Sequence, residues 1–416
     1  MNNVKQIALY LPQYHPIADN NKAWGEGFTE WSNVKKAQPL FEGHYQPHVP
    51  HSDIGYYDLL DPEVLIKQAA MARDHGVYGF AYYHYWFNGK RLLNQPLDNM
   101  LSLGKPDFPF CYIWANENWT KRWDGLDEEI IIKQEYSFED DLVHIRFLCK
   151  NVFSDKRYIT VDDKPLFIVY RTELFPDIKE TAQIWREEAK SFGFKDIYLV
   201  RVESLASDIE PSVIGFDSAM EFAPDWRTIN YGIKESGADF HLTKYDYSTT
   251  VFNMLLKKKS YKYFRCVFPC WDNTSRRKQN ATVFINTSPY LFKYFLYRSI
   301  QFTIRYFQED ERIIFINAWN EWGEGCHIEP DERFGFQYLQ LCSDAINSDY
   351  SNPEQGDRYF EFLEREIKSL HETNQLLEQK SFELAQKAEH ILMTNDYIIG
   401  HRIMKPYRKL KQFLRK

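Results

Sequence analysis

The stretch IIFINAWNEWGEGCHIEP, residues 313–330, opens on four apolar residues and passes at once into a polar, aromatic run. Ile313, Ile314, Phe315 and Ile316 have the length and β-branching of a strand buried on both faces. The polar run reads as the loop at the strand's C-terminal end. That loop sets two carboxylates, Glu321 and Glu324, three residues apart, with Trp319 and Trp322 beside them. Chemistry at a glycosidic bond needs two such groups, one moving a proton at the leaving oxygen and one acting on the sugar itself. Flat indoles offer surfaces for the sugar's C–H faces.

Upstream, the same unit recurs. Candidate strands at residues 6–11, 79–83, 110–114, 166–170, 197–202, 218–222 and 265–269 precede the eighth at 313–317. Helical patterns fall between them, at 62–75, 97–103, 138–153, 179–192, 205–209, 249–261 and 289–307, with a last one at 335–346. Asp61-Pro62 marks a helix start, an acid at the N-cap and proline in the first turn, and Gly76 marks its end. Eight βα units in series predict an α/β chain, a (β/α)8 TIM barrel over residues 1–348. A doubly wound open sheet is the competing architecture, but no G-x-G-x-x-G follows the first strand.

In such a barrel the chemistry sits at the C-terminal ends of the strands. Those ends are crowded here: Tyr10 and His15 after the first, Tyr83, His84, Tyr85 and Trp86 after the second, Trp114, Asn116, Glu117, Asn118 and Trp119 after the third. Later ends bring Tyr170-Arg171, Asp225-Trp226, Trp271-Asp272-Asn273 and Asn320-Glu321. The expectation is one cleft rich in Trp, Tyr, Asn, Glu and His, suited to a glycan. Its candidate substrate contacts are Tyr10, His15, Trp31, Tyr83, His84, Trp86, Trp114, Asn116, Glu117, Trp319, Asn320, Trp322 and Glu329. For any single cluster the alternative is a core lid whose polar tip is satisfied internally. Glu329 fits a structural role and a substrate role equally.

Residues 12–61 form a connection too long for a simple turn, and a loop of that size is usually functional. It holds WGEGFTEW at 24–31, and is predicted to fold over the barrel mouth and supply part of the cleft. The histidines at 15, 44, 48 and 51 match no common metal-ligand spacing, so no metal and no cofactor is expected. Six scattered cysteines fit a reducing compartment, and Cys266 and Cys270 fall in a strand-like run without a second Cys/His pair nearby.

Several long runs carry a family resemblance. IALYLPQYHP, WGEGFTEWSNVKKAQPLFEGHYQPHVP, GYYDLLDPEV, YGFAYYHYWFNGKRLL, PFCYIWANENWTKRWDG and NAWNEWGEGCHIEPD closely resemble the WbsX-like family over about residues 4–347. That resemblance implies a role in bacterial lipopolysaccharide or surface-polysaccharide biosynthesis, as a glycosyltransferase or a glycoside-hydrolase-99-like domain. A more distant similarity, to family 99 endo-α-mannosidases, rests on Asn-Glu-Trp-x-Glu-Gly-x-x-Ile-Glu after the last strand. It implies a retaining reaction in which Glu321 deprotonates the sugar's own 2-hydroxyl and Glu324 serves as general acid and then base. Asn320 would orient the pair or contact the sugar. The family's usual His between the two glutamates is Gly323 here, which removes one side chain able to reach the sugar. Independently of any relative, a general acid near neutral pH needs a raised pKa, which a neighbouring carboxylate and burial supply.

From the sequence, hydrolysis, transfer to another sugar, and transfer from a nucleotide- or lipid-linked donor are all open. The barrel with a carboxylate pair favours the first two, because Asp162-Asp163, a bare acidic pair, sits in an expected turn. A catalytically silent glycan-binding scaffold is the remaining class.

The chain carries −8 in all. From Arg402 onward there are seven Lys/Arg and no acid, so the remainder carries −15, the −8 of the whole less the seven tail cations. An acidic body argues against general nucleic-acid binding. Residues 349–357 read as a linker. Over 358–395, Leu363, Leu370, Leu377, Leu384 and Ile391 recur every seven residues, the pattern of a coiled coil, hence a homodimer or docking to a partner helix. The other possibility is a lone amphipathic helix on the barrel. Residues 396–416 combine apolar side chains with the cations, suiting peripheral contact with an anionic membrane surface. No long apolar run and no signal-peptide h-region occur, so the expected location is the cytoplasm, at the inner face of the cytoplasmic membrane. The expected substrate is an oligo- or polysaccharide, free or lipid-linked.

Overall fold

Eight apolar runs become eight parallel strands: β1 (Lys5–Tyr10), β2 (Gly79–Phe87), β3 (Phe110–Trp114), β4 (Lys164–Val169), β5 (Tyr198–Glu203), β6 (Ser218–Glu221), β7 (Tyr263–Val267) and β8 (Ile313–Ile316). Each pairs with its neighbours in chain order, and β8 returns to β1, closing the barrel. In the computed structural model the described residues are 3–350, apart from 122–125, 204–207 and 230–231 and the side chains of 126–128. Beyond them, Arg365, Ser369, Leu376, Lys380, Glu383, Leu384, Gln386 and Lys387 are described.

Closure demands close contact where β2 begins. A Cβ on Gly79 would lie 2.6 Å from the Pro109 carbonyl oxygen, so only glycine lets the chain before β3 lie against β2. The core is aliphatic and aromatic throughout, with Ile7, Leu9, Phe80, Phe167, Val200, Met220, Phe264 and Phe315 all fully buried.

The outer layer is α1 (Pro62–Asp74), α2 (Gln95–Leu103), α3 (Phe138–Asn151), α4 (Ile178–Ser191), α5 (Tyr247–Leu256), α6 (Pro289–Tyr306) and α7 (Gln337–Ile346). The start of α1 is as predicted: the Asp61 carboxylate accepts from the Glu63 amide at 3.0 Å, and Gly76 adopts φ 78°. Of the helix expected at 205–209, only Asp208 and Ile209 are described, and neither is helical. Residues 205–207 lie outside the described set, and the element before β6 is a single 3-10 turn, Pro211–Ile214. Pro211 starts it and Gly215, at φ 77°, stops it after one turn. Asp162 and Asp163 form a tight left-handed turn, at φ 50° and 63°, leading into β4.

Two insertions stand at the C-terminal ends of the strands. After β3 comes an antiparallel hairpin, Trp119–Lys121 with Leu126–Ile132. The connection before α5 and the one between β7 and α6 contribute a three-stranded sheet of Ile233–Ser236, His241–Asp246 and Ala281–Ile285.

Residues 1–354 form one compact unit and 355–416 a second. In the second unit the eight described residues are helical and exposed. Of the heptad positions only Leu384 is among them; Leu363, Leu370, Leu377 and Ile391 lie outside the described residues, as do the tail 396–416 and the linker after Tyr350. All six cysteines are free, five of them buried. Among the described residues no helix is long and apolar enough to cross a membrane.

Candidate active site

The loop after β8 is short and tightly held. Asn320 and Glu321 pair antiparallel with Cys326 and His327, and Trp322–Glu324 forms a 3-10 turn between them. This turn presents Glu321 and Glu324 on the wall of a cleft of about 330 Å³ at the barrel mouth. Seven rings from other strand ends share that wall: Tyr83, Tyr85, Trp119, Tyr170, Phe222, Trp226 and Trp271. Polar groups join them from Glu117, Asn118, Thr120, Asn273, Arg276 and Arg277. An acid pair faced by aromatic surfaces and amides can bind a sugar and move protons at its linkages.

One cation bridges the pair. Arg276 donates from Nη2 to Glu321 at 2.9 Å and from Nη1 to Glu324 at 2.7 Å. Its Nε donates to the wholly buried Glu30 at 2.7 Å. Burial, and next Glu324, push Glu321 up to about 8, while Arg276 pulls it down. Near neutral pH Glu321 therefore favours its protonated form.

The indoles expected against the sugar lie outside the cleft lining. Trp319 and Trp322 are buried and do not line the cleft. Both donate to Glu329, at 3.2 and 2.8 Å, and Glu329 also accepts from Tyr57 and Gln68. Four donors converge on one buried carboxylate, which fits the structural side of the Glu329 alternatives. Burial pushes it up to about 7 against those hydrogen bonds. Trp322 stacks on His327, and Trp31 packs beside it while donating to the Tyr57 carbonyl at 2.8 Å. Asn320 makes two hydrogen bonds to the Leu11 backbone, at 2.8 and 3.0 Å, tying the end of β1 to that of β8. Its own carbonyl accepts from Tyr14.

The β2 cluster divides by strand alternation. Tyr83 and Tyr85 face the cleft. His84 and Trp86 face α3, His84 against His144 at 3.0 Å and Trp86 donating to Asp140 at 2.8 Å. Trp114 packs edge-on against the same His144, with ring centres 4.4 Å apart. Tyr10 donates to Gln68 at 2.6 Å and His15 is buried, both away from the cleft. Asn116 binds the Arg171 backbone at both its amide atoms, 2.8 Å each, holding the end of β4, while Glu117 lines the cleft and pairs with Arg171. Of the candidates, then, Glu321, Glu324, Glu117 and Tyr83 meet in the cleft, and the other eleven build the ring behind it.

The long first loop, expected to supply part of the cleft, contributes no residue to its lining. It delivers Glu30 to Arg276. It is pinned to the β7 end by Asp272, which takes His44 at 2.6 Å and Gln46 at 2.9 Å. Arg276 and Arg277 are the site residues the strand-end reading missed. They lie in TSRRKQN, several residues beyond β7, and nothing local ties that run to residues 317–324.

One group among the described residues has metal-ligand character: His48, His327 and Asp331. His327 turns Nδ1 to the Glu329 carbonyl at 3.0 Å, and its Nε2 meets His48 Nδ1 at 2.9 Å. Burial pushes His48 down to about 3 and lowers His327 too, so two neutral rings satisfy each other.

The fold is a (β/α)8 barrel, an architecture shared with solved structures of glycoside hydrolase family 99. The endo-α-mannosidase of that family from Bacteroides thetaiotaomicron superposes with a TM-score of 0.51 at 15% identity, over 88% of this chain and 98% of that one. A structure described as a glycoside hydrolase-like protein gives 0.53 at 12% identity, over 84% and 95%. More specifically, the chain belongs to the family Glycosyltransferase WbsX, whose model matches residues 6–342. It is 38% identical over 344 residues to the uncharacterized protein WxcX of Xanthomonas campestris pv. campestris, in strains B100 and ATCC 33913. The match covers 82% of this chain but 49% of those relatives, so the chain spans about half their length.

Proposed function

We propose that this chain is a carbohydrate-active enzyme of bacterial surface-polysaccharide assembly, lipopolysaccharide O-antigen or capsule, that cleaves or transfers an α-linked glycan with Glu321 and Glu324. The observation that carries the reading is the acid pair on one wall of an aromatic-lined cleft at the end of the last barrel strand. Family membership supplies the biosynthetic setting.

The chemistry follows from the proton count. A retaining, 2-hydroxyl-assisted reaction needs one proton on the pair: an ionised base and a protonated acid. Glu321 takes the 2-hydroxyl proton as that oxygen attacks the anomeric carbon, and Glu324 gives its proton to the departing glycosidic oxygen. Water, or a hydroxyl of an acceptor sugar, then attacks the anomeric carbon of the 1,2-anhydro intermediate, losing its proton to Glu324 as the bond from the anomeric carbon to the 2-oxygen breaks and Glu321 returns its proton to that oxygen. Burial favours the proton on Glu321. A bound sugar hydroxyl donating to Glu321 takes the place of that proton, which passes to Glu324. Tyr83, Tyr85 and Trp119 give the sugar apolar faces to stack on, and Glu117 is within the same cleft for a hydroxyl.

A second reading has support in the family's description as glycosyltransferases: an activated donor, nucleotide- or lipid-linked, with its anionic leaving group near Arg276 and Arg277. The two separate in a screen of α-linked oligosaccharides and sugar nucleotides with wild type and Glu324→Gln. Turnover of a glycan abolished by Glu324→Gln supports the first. Turnover of a sugar nucleotide with both glutamates dispensable sinks it. Glycan binding in a calorimeter with no turnover of anything leaves a binding scaffold. The heptads of residues 358–395 further support a homodimer, and the basic tail supports contact with an anionic membrane face at the cytoplasmic side.

A further inference from the structure

Arg276 uses each of its three guanidinium nitrogens on a different carboxylate: Nε on Glu30, Nη1 on Glu324 and Nη2 on Glu321. Its side chain is only 9% exposed, and Glu30 behind it is fully buried. A rigid planar fork of this kind fixes the bonded oxygens in direction as well as distance, which an ammonium on a flexible stem does not.

The space for it exists because residue 323 has no side chain. A Cβ on Gly323 would land on the Glu30 carboxylate and 2.6 Å from Arg276 Nε. The neighbouring backbone is fastened around the gap. Ser275 donates to the Gly323 carbonyl at 2.8 Å, and the Asp272 amide donates to the Glu324 carbonyl at 2.6 Å. Gly325, at φ 56°, would with a Cβ meet Asp272 backbone atoms at 3.1 and 3.2 Å. The loops after β7 and β8 therefore touch through glycine backbone, and Arg276 reaches the acid pair across that contact.

We propose that Arg276, seated by Glu30 in the space Gly323 leaves open, is the positioning residue of the Glu321/Glu324 pair, holding both carboxylates to one spacing and orientation. This rests on the reading of the pair as the reactive acids. A glycine at 323 is then a requirement of the arginine arrangement and not merely a missing sugar contact: side chain at 323 and guanidinium at 276 exclude each other. Arg276 also supplies a cation hydrogen-bonded to both acids.

The test begins without substrate. Difference infrared titration follows the protonated carboxyl band of the pair, assigned by its loss in Glu321→Gln, in wild type, Arg276→Met, Arg276→Lys and Gly323→Ala, with near-ultraviolet circular dichroism as the folding control. Losing a contacting cation raises a carboxylate by about one to three pH units. Arg276→Met should therefore shift the midpoint upward by that much, and Arg276→Lys by less. Gly323→Ala should shift it in the same direction, because the new methyl displaces the fork. If Arg276→Met is unfolded by its unpaired carboxylates, Arg276→Met with Glu30→Gln removes the buried charges together and should still shift the midpoint upward relative to Glu30→Gln alone, the reference that subtracts the raising effect of Glu30 itself. An unchanged midpoint in folded Arg276→Met against wild type, or in that double variant against Glu30→Gln, overturns the positioning role. An unchanged one in Gly323→Ala overturns the role of the gap. On a glycan that wild type turns over, Arg276→Lys should lose kcat, about 100-fold for a misplacement near 1 Å, with KM kept. Lost affinity with kcat kept would instead make Arg276 a sugar contact and overturn the proposal. Expected titrations with no glycoside turned over would count against the glycosidic reading alone.

Discussion

Glu321 works at a cost in folding. Its carboxyl is raised to about 8 by burial and by Glu324, from roughly 4.3 for a carboxyl in an unfolded chain. The folded state thus binds this proton more tightly. The corresponding stability is fully present below the unfolded value and is lost as pH rises through about 8. Glu321→Gln removes the titration. Its melting temperature, relative to wild type, should therefore improve between pH 5 and pH 8; a constant difference in calorimetry at the two pH values would count against a buried, proton-holding Glu321. Glu329, raised to about 7, imposes a similar slope over a lower window. Glu329→Gln should flatten the decline of wild-type stability from about pH 5 to 7, while lowering stability overall, because an amide cannot accept from all four donors. At this scale the sequence was half legible. The two acids stand out by spacing and by their aromatic neighbours. Their shared arginine does not, because it lies 45 residues upstream of Glu321 and is brought in by the β7 loop.

The β2 strand shows what an element adds. In Tyr83-His84-Tyr85-Trp86 four aromatic residues look equivalent as a cluster, but period 2 sends Tyr83 and Tyr85 to the cleft and His84 and Trp86 to α3. Trp86→Phe keeps the ring and removes the donor to Asp140, a buried acceptor whose carboxyl burial already raises. The expected cost is about 1–3 kcal/mol in denaturant unfolding with glycan KM unchanged. Tyr85→Ala, on the other face, should raise KM. An equal KM effect from Trp86→Phe would contradict the division of faces. Alternation was readable in the sequence, though which face belonged to the cleft was not: in a barrel both faces of a strand are buried, so polarity gives no direction. The same limit explains Trp114 and Trp319. Each sits at a strand end, yet their N–H groups are taken by the Trp86 carbonyl and by Glu329.

On the scale of the molecule, the barrel unit ends at Glu354 and its closing contacts are internal to it. A chain cut after Glu354 should fold with wild-type near-ultraviolet circular dichroism and run as a monomer in light scattering, while the full chain runs as a dimer. A dimeric truncation would move the association surface to the barrel. Truncation after Asp396 should abolish binding to vesicles of anionic lipid; retained binding would reject the tail as the contact.

By itself the sequence determined the number and order of the barrel strands, the strand whose end carries the acid pair, and the family. All three depend on local periodicity and on motifs that are contiguous in the chain. Only the tertiary structure decided which side chains line the cleft, that Trp319, Trp322 and Glu329 support it from behind, and that Glu30, Arg276 and Gly323 form one arrangement with the pair. Those three come from three separate loops, at residues 30, 276 and 323, and their association exists only once β8 has closed against β1 and β7. Closure, not spacing, brings the cation to the acids.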